Sequence, residues 1–174
     1  MSSSEWILFA TGLLIGLSLL TWKRPGRHAQ KIKASYRVLN TLERLAHQDQ
    51  AAARQFGYLR RIDPFVFEEV VLSALEKGGH RVQRNRRYTG DGGLDGQCWI
   101  EGEHYLLQMK RYAQHINPQH VNAFQALCRS RQSKGLFIHT GKTGKGARVF
   151  NHSGIKIISG NRLLRLLLHG RVND

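Results

Sequence analysis

The stretch from Asp91 to Lys110 reads D-G-G-L-D-G-Q-C-W-I-E-G-E-H-Y-L-L-Q-M-K, and its alternation decides the fold. A glycine-rich turn delivers Asp95 to the start of a strand. Glu101-Gly102-Glu103 is a second turn, and the chain returns through His104 to Lys110. Side chains on a strand alternate faces with period two, so Gln108 and Lys110 share one face and Met109 takes the other. Paired strands lie about 4.8 Å apart, which sets Asp95 beside the Gln108/Lys110 pair when the register agrees. A carboxylate, a second oxygen ligand and a lysine on one sheet face suit phosphodiester hydrolysis with a divalent metal. The oxygens hold Mg²⁺ and the lysine orients or activates a water. A plainer reading exists, because D-G-G is a common turn and a strand lysine is usually solvated. The surrounding pattern decides between the two.

Working outward, Asp63-Pro64 is a helix start, with Asp as cap and Pro in the first turn. The helix Phe65 to Lys77 turns Phe65, Val66, Val70, Leu72 (or Val71) and Leu75 toward a core, and Gly78-Gly79 ends it. His80 to Arg86 is a short strand with Val82 inward. After the hairpin, Asn117-Pro118 opens a helix to about Arg131, with Val121, Phe124, Leu127 and Cys128 at helical spacing. Gly135 to Thr140 is a short apolar strand, buried and parallel. The loop Gly141 to Gly146 leads into a helix through Phe150. Ile155 to Ser159 is a strand, and Asn161 to His169 is a leucine-rich amphipathic helix. This order implies an α/β domain over 63–174, three layers deep, with a mixed β-sheet flanked by helices. The Gly141-to-Gly146 loop is not a Walker A loop, since Ala147-Arg148 follows where Lys-Ser/Thr is required, and this excludes a P-loop ATPase. Its lysines and amides can still hold a phosphate.

The 174 residues carry a formal charge of +15. Such an excess suits a polyanionic partner, nucleic acid or an anionic membrane surface. Cys98 and Cys128 show no C-x-x-C spacing and indicate neither a zinc site nor a disulfide framework. Residues 1–5 are a short polar tail. Trp6 to Trp22 is an uncharged apolar run that reaches roughly 25 Å as a helix, against a hydrocarbon core of about 30 Å. Trp at each end and Lys23, Arg24 and Arg27 behind it read as a single-pass transmembrane helix over 6–22, with the C-terminal side in the cytoplasm. Residues 23–62 form a basic juxtamembrane segment, helical from about Ala29 to Tyr58, that packs on the main domain or on a copy of itself. Its charges favour anionic lipid.

Several pieces in register resemble the Mrr-like restriction endonuclease family, within the PD-(D/E)xK nucleases. Phe67-Glu68 lies on the first helix, ahead of Gly79-His80-Arg81-Val82. Gly90 to Asp95 is similar to the family's G-D-G-G-I-D turn, and Gln108 to Tyr112 to its Q-x-K-R-Y strand, with glutamine in place of the acidic residue. Gly135 to Thr140 is similar to its K-G-V-F-I-T-T strand, and Ile155 to Gly160 precedes a leucine-rich helix, as in the family. The resemblance spans Asp63 to Leu168.

The resemblance implies a restriction-endonuclease-like core and a role for each matching position. Asp95 is the central metal-binding carboxylate, Gln108 adds a carbonyl oxygen, and Lys110 positions the attacking water. Glu68 reaches the site from the first helix to bind metal or water, and Asp91 binds metal or braces its turn. Arg84, Arg86, Arg87, Arg111, Lys142 and Lys145 surround the site in sequence and can meet DNA phosphates. The cofactor implied is Mg²⁺, with Mn²⁺ as substitute. The function expected is a membrane-anchored DNA endonuclease that restricts foreign or modified DNA, in the inner membrane with its domain cytoplasmic. A homodimer suits double-strand cutting. The alternative is a non-cleaving DNA-binding protein on a nuclease fold that tethers DNA to the membrane. Mrr-type enzymes commonly carry a separate DNA-recognition domain, and the sequence departs from that pattern. A membrane helix and a basic linker stand in its place.

Overall fold

The computed structural model describes residues 26–85, 93–144 and 154–172. The expected membrane helix over 6–22 and the short helix through Phe150 lie outside the described residues. Among those described, no helix is long and apolar enough to cross a membrane.

Among the described residues ten elements follow in order: α1 (Arg27–Ala46), α2 (Ala51–Leu59), α3 (Pro64–Lys77), β1 (Arg81–Arg84), β2 (Gly96–Ile100), β3 (Glu103–Lys110), α4 (Pro118–Ser130), β4 (Lys134–His139), β5 (Ile155–Ile158) and α5 (Gly160–His169). The helix starts are those the sequence announces. Asp63 accepts the Val66 N–H at 3.1 Å and Asn117 accepts the Gln119 N–H at 2.9 Å, each just ahead of its proline.

The strands form one sheet in the order β1-β2-β3-β4-β5. β1, β2 and β3 are antiparallel neighbours, whereas β3-β4 and β4-β5 are parallel. The hairpin between β2 and β3 closes on Glu101 and Gly102, both at positive φ (53° and 83°), the conformation whose twist matches a two-residue hairpin loop.

Two cores sandwich this sheet. On one face, Cys98, Ile100, Leu107, Met109, Leu136, Ile138 and Ile158 pack with residues of α1, α2, α3 and α5. On the other, Leu106, Phe137, Ile155 and Ile157 pack with Val121, Phe124 and Cys128 of α4. Three layers and a mixed sheet match the sequence reading.

Upstream of Asp63 the structure differs from it. The single helix expected over residues 29–58 is two, α1 and α2. The polar stretch His47 to Gln50 separates them, and Gln50 sits at φ 54° in the left-handed region. The buried Gln55 Nε2 donates to the Leu42 carbonyl at 2.9 Å, holding α2 back against α1. Val38, Leu39, Leu42 and Leu59 are buried in the first core, and buried Ser35 and Ser73 hydroxyls meet at 2.9 Å between α1 and α3. The compact unit therefore runs from Lys31 to Asp174 rather than from Asp63. The thin apolar stripe of the upstream segment is a docking face for this domain.

Arg84 is the second correction. Expected as a phosphate contact, it is built into the fold instead. Its Nε donates to the buried Glu69 at 2.9 Å, Nη1 and Nη2 grip Glu76 at 2.8 Å each, and Nη2 reaches Ser73 at 3.3 Å. Strand β1 is thereby clamped to α3. The Arg84 hydrogen bonds hold the Glu76 carboxyl below its usual range, and the two carboxylates raise the Arg84 pKa still further. Arg84→Met takes from Glu69, which is only 1% exposed, the guanidinium that it meets at 2.9 Å. Urea unfolding is expected to show a loss of about 3 kcal/mol, the cost of breaking a buried pair from one side. A loss within a few tenths of a kcal/mol would mean that the clamp is incidental.

Candidate active site

Strand β3 positions the site through its alternation. Leu107 and Met109 enter the first core and Leu106 the second, so Gln108 and Lys110 continue the Leu106 face, as read from the sequence. Gly96 pairs with Leu107, and the Asp95 N–H donates to the Leu107 carbonyl at 2.9 Å, which brings Asp95 opposite Gln108. The Asp95 Oδ2 accepts the Met109 backbone N–H at 2.6 Å. The carboxylate is thus fixed against the peptide between Gln108 and Lys110.

Gln108 is 7% exposed. Its Nε2 donates to the Gly93 carbonyl at 2.6 Å. Gly93 needs to be glycine twice over: its φ is +83°, and a Cβ there would stand 3.1 Å from that same Nε2. Asn85 holds the turn from the other side, its Nδ2 donating to the Leu94 carbonyl. With the amide held by its nitrogen, Oε1 is left buried and without a hydrogen-bond partner among the described residues. A buried carbonyl oxygen without a donor is costly unless another partner supplies the compensation.

These groups fit a hard divalent cation. Asp95 offers a carboxylate, and Gln108 offers a neutral carbonyl oxygen that no N–H or O–H claims; oxygen donors of this type suit Mg²⁺ or Mn²⁺. Among the described residues no group of three or more His, Cys, Asp or Glu side chains is arranged to hold a metal ion. The structure thus brings together Asp95, Gln108 and Lys110. Glu68 lies half-buried on α3, whose apolar side chains pack on the opposite sheet face.

Lys110 is half-buried, and its register partner on β4 is His139, on the same face. His139 is fully buried. Its Nε2 meets Thr143 Oγ1 at 3.3 Å, its Nδ1 has no partner among the described residues, and the Tyr112 ring stands edge-on to it at 6.1 Å. Burial pushes the imidazole pKa down from 6.5 to about 4, the Gly141 backbone pulling weakly the other way, so the ring is neutral at neutral pH. The sequence reading passed over this histidine. Its one signal was a polar side chain at the end of an otherwise apolar strand, G-L-F-I-H-T.

The rim is basic. Arg111 is exposed, with Nη1 donating to the Arg60 carbonyl, and the Arg60 guanidinium in turn donates to the Thr140 carbonyl at 3.0 and 3.2 Å. Lys142 is exposed on a loop whose backbone pairs with Gln114 and Ile116. The Tyr112 hydroxyl meets His120 Nδ1 at 2.6 Å across the start of α4. Arg84 is withdrawn from the rim by its carboxylate clamp, and Arg86, Arg87, Asp91 and Lys145 lie outside the described residues.

Comparison with known proteins bears on the same region. The family model described as "Mrr_cat: Restriction endonuclease" matches residues 59–167, more than half of the chain. No curated protein matches. Among solved structures, that of Pyrococcus furiosus SfsA in complex with Ca²⁺ is similar at 16% identity, with a TM-score of 0.36 over 62% of this chain and 56% of that one.

The buried histidine gives the domain a defined acid response. The unfolded chain binds a proton at this ring below pH 6.5, whereas the folded chain resists until about pH 4. Stability attributable to His139 is therefore complete above pH 6.5 and drains away as the pH falls toward 4. The total is at most about 3 kcal/mol. His139→Gln is expected to flatten this part of the stability-against-pH curve measured by urea unfolding. Identical curves for the variant and the parent would mean that the ring titrates normally in the folded state.

Proposed function

The chain belongs to the Mrr_cat restriction endonuclease family and is a nuclease, and from that premise we propose that it is a membrane-anchored, Mg²⁺-dependent DNA endonuclease acting on foreign or modified DNA. The observation that carries the metal reading is the buried, unpartnered Oε1 of Gln108 beside the fixed carboxylate of Asp95.

In this reading Asp95 and Gln108 would hold the ion, Mg²⁺ or Mn²⁺; Glu68, the further ligand expected from the sequence, sits on α3, which packs on the other sheet face, and would have to reach the ion past the ends of the strands. Held there, such an ion would supply Lewis-acid charge at the phosphate and lower the pKa of an attacking water. Lys110 orients that water and stabilises the charge that builds on the phosphoryl oxygens. Arg111 and Lys142, both exposed, meet flanking phosphates, joined by Arg86, Arg87 and Lys145, and such contacts make binding fall steeply with salt. Asp91, outside the described residues, would bind metal or brace its turn.

Because Gln108 is neutral, the site has one negative charge fewer than a two-carboxylate site and binds its ion more weakly on that count. The Trp6-to-Trp22 run anchors the chain in the inner membrane with the nuclease domain in the cytoplasm, where it meets DNA at the envelope. A homodimer supplies two such sites for double-strand cutting.

Plasmid cleavage tests this. The full chain is expected to cut with Mg²⁺ and to stop with EDTA. Asp95→Ala and Lys110→Ala should each lose roughly a hundredfold or more in rate, while Gln108→Glu retains metal binding. Cutting by Lys110→Ala at the parental rate would sink the mechanism. Salt-sensitive DNA binding without cutting by any form would favour the tether.

A further inference from the structure

Among the described residues, two buried side-chain atoms lack a hydrogen-bond partner: Gln108 Oε1 and His139 Nδ1. Both flank Lys110. Gln108 precedes it by two residues on the same strand face, and His139 is its register partner across the parallel β3-β4 pair, where neighbouring strands lie about 4.8 Å apart. Buried polar atoms are almost always satisfied, so two exceptions on either side of one lysine each call for a cause. The Gln108 oxygen has one in the proposed metal. The His139 nitrogen needs another.

The ring is held for a purpose by its other nitrogen. Nε2 meets Thr143 Oγ1 at 3.3 Å, and Thr143 Oγ1 meets Ser159 Oγ at 2.7 Å. Ser159 is the N-cap residue of α5, yet its side chain makes no cap hydrogen bond to that helix; its hydroxyl is turned to Thr143 instead. With the proton on Nε2, the chain runs from imidazole to Thr143 to Ser159, and Nδ1 presents a lone pair. Two aromatic rings stand near it, Phe137 at 6.0 Å on its own strand and Tyr112 at 6.1 Å beyond β3. The one charged donor at its register position is the Lys110 ammonium.

We propose that His139 is a positioning residue for Lys110: its Nδ1 lone pair receives the Lys110 ammonium and holds it at the site, while Thr143 and Ser159 fix the ring and its tautomer. The proposal deepens the nuclease reading and rests on it for its consequence in catalysis. A neutral imidazole is the side chain required, because it accepts from an ammonium without adding a charge to the metal site. The Gly141 backbone, which pulls on the same ring, is the rival partner for Nδ1 in the opposite tautomer.

Two measurements on the full chain separate the outcomes. The first is nitrogen NMR of the histidine side chains. The proposal expects His139 with its proton on Nε2, and a shift of its Nδ1 signal in Lys110→Met. A proton on Nδ1, or a signal indifferent to Lys110→Met, would overturn it whether or not the chain cuts DNA. The second is steady-state plasmid cleavage with Mg²⁺. His139→Leu should lower kcat roughly tenfold to a hundredfold, as a misplaced catalytic group does, with KM for DNA unchanged. His139→Asn, whose amide oxygen can stand where Nδ1 does, should recover most of the rate. A structural role alone would lower the melting temperature of His139→Leu and leave kcat of the folded protein intact. If the parent fails to cut while the Nδ1 shift is seen, the nuclease reading falls and the Lys110–His139 contact stands.

Discussion

The hydrogen bond from Gln108 Nε2 to the Gly93 carbonyl is the constraint on which the site depends. It joins the turn that carries Asp95 to the strand that carries Lys110, and it fixes the amide with its oxygen left over. Gly93 favours it, because a Cβ there would strain the backbone at φ +83° and crowd the amide nitrogen at 3.1 Å. The Asp95 carboxylate then takes the Met109 N–H, and both oxygen groups are set before any ligand arrives. Preorganised donors of this kind need little rearrangement when charge develops.

The sheet separates stability from chemistry by face and by end. Tyr105, Leu107 and Met109 of β3 enter the larger core, while Gln108 and Lys110 lie on the α4 side, beyond Leu106 and Phe137. The basic residues divide accordingly. Arg84 is buried in a carboxylate clamp that ties β1 to α3, whereas Arg111 and Lys142 remain at the surface near the ends of β3 and β4. The formal charge of +15 therefore does not by itself say which cations can meet a polyanion.

Much of this was legible in the sequence, for reasons that differ by element. The period-two alternation of His104 to Lys110 gave the shared face of Gln108 and Lys110, and Asp63-Pro64 and Asn117-Pro118 gave two helix starts that the structure reproduces. Local rules sufficed there because the deciding contacts are local. They failed where a partner distant in sequence decides. Nothing near Arg84 announces that Glu69 and Glu76 lie under it. The Gln55 contact with Leu42 that folds α2 onto α1 is likewise invisible in a stretch of Gln, Ala and Arg. His139 was missed because its meaning comes from Lys110 across the sheet, a pairing fixed only once β3 and β4 are placed in register.

The most direct test of the account is a crystal structure of the chain grown with Mn²⁺, read by the anomalous signal of the metal. The account expects a peak at ligand distance from both the Asp95 carboxylate and Gln108 Oε1, with the Gly93 bond to the amide nitrogen unchanged. A crystal in which Mn²⁺ binds elsewhere, or in which Gln108 Oε1 accepts a hydrogen bond from protein, would contradict it.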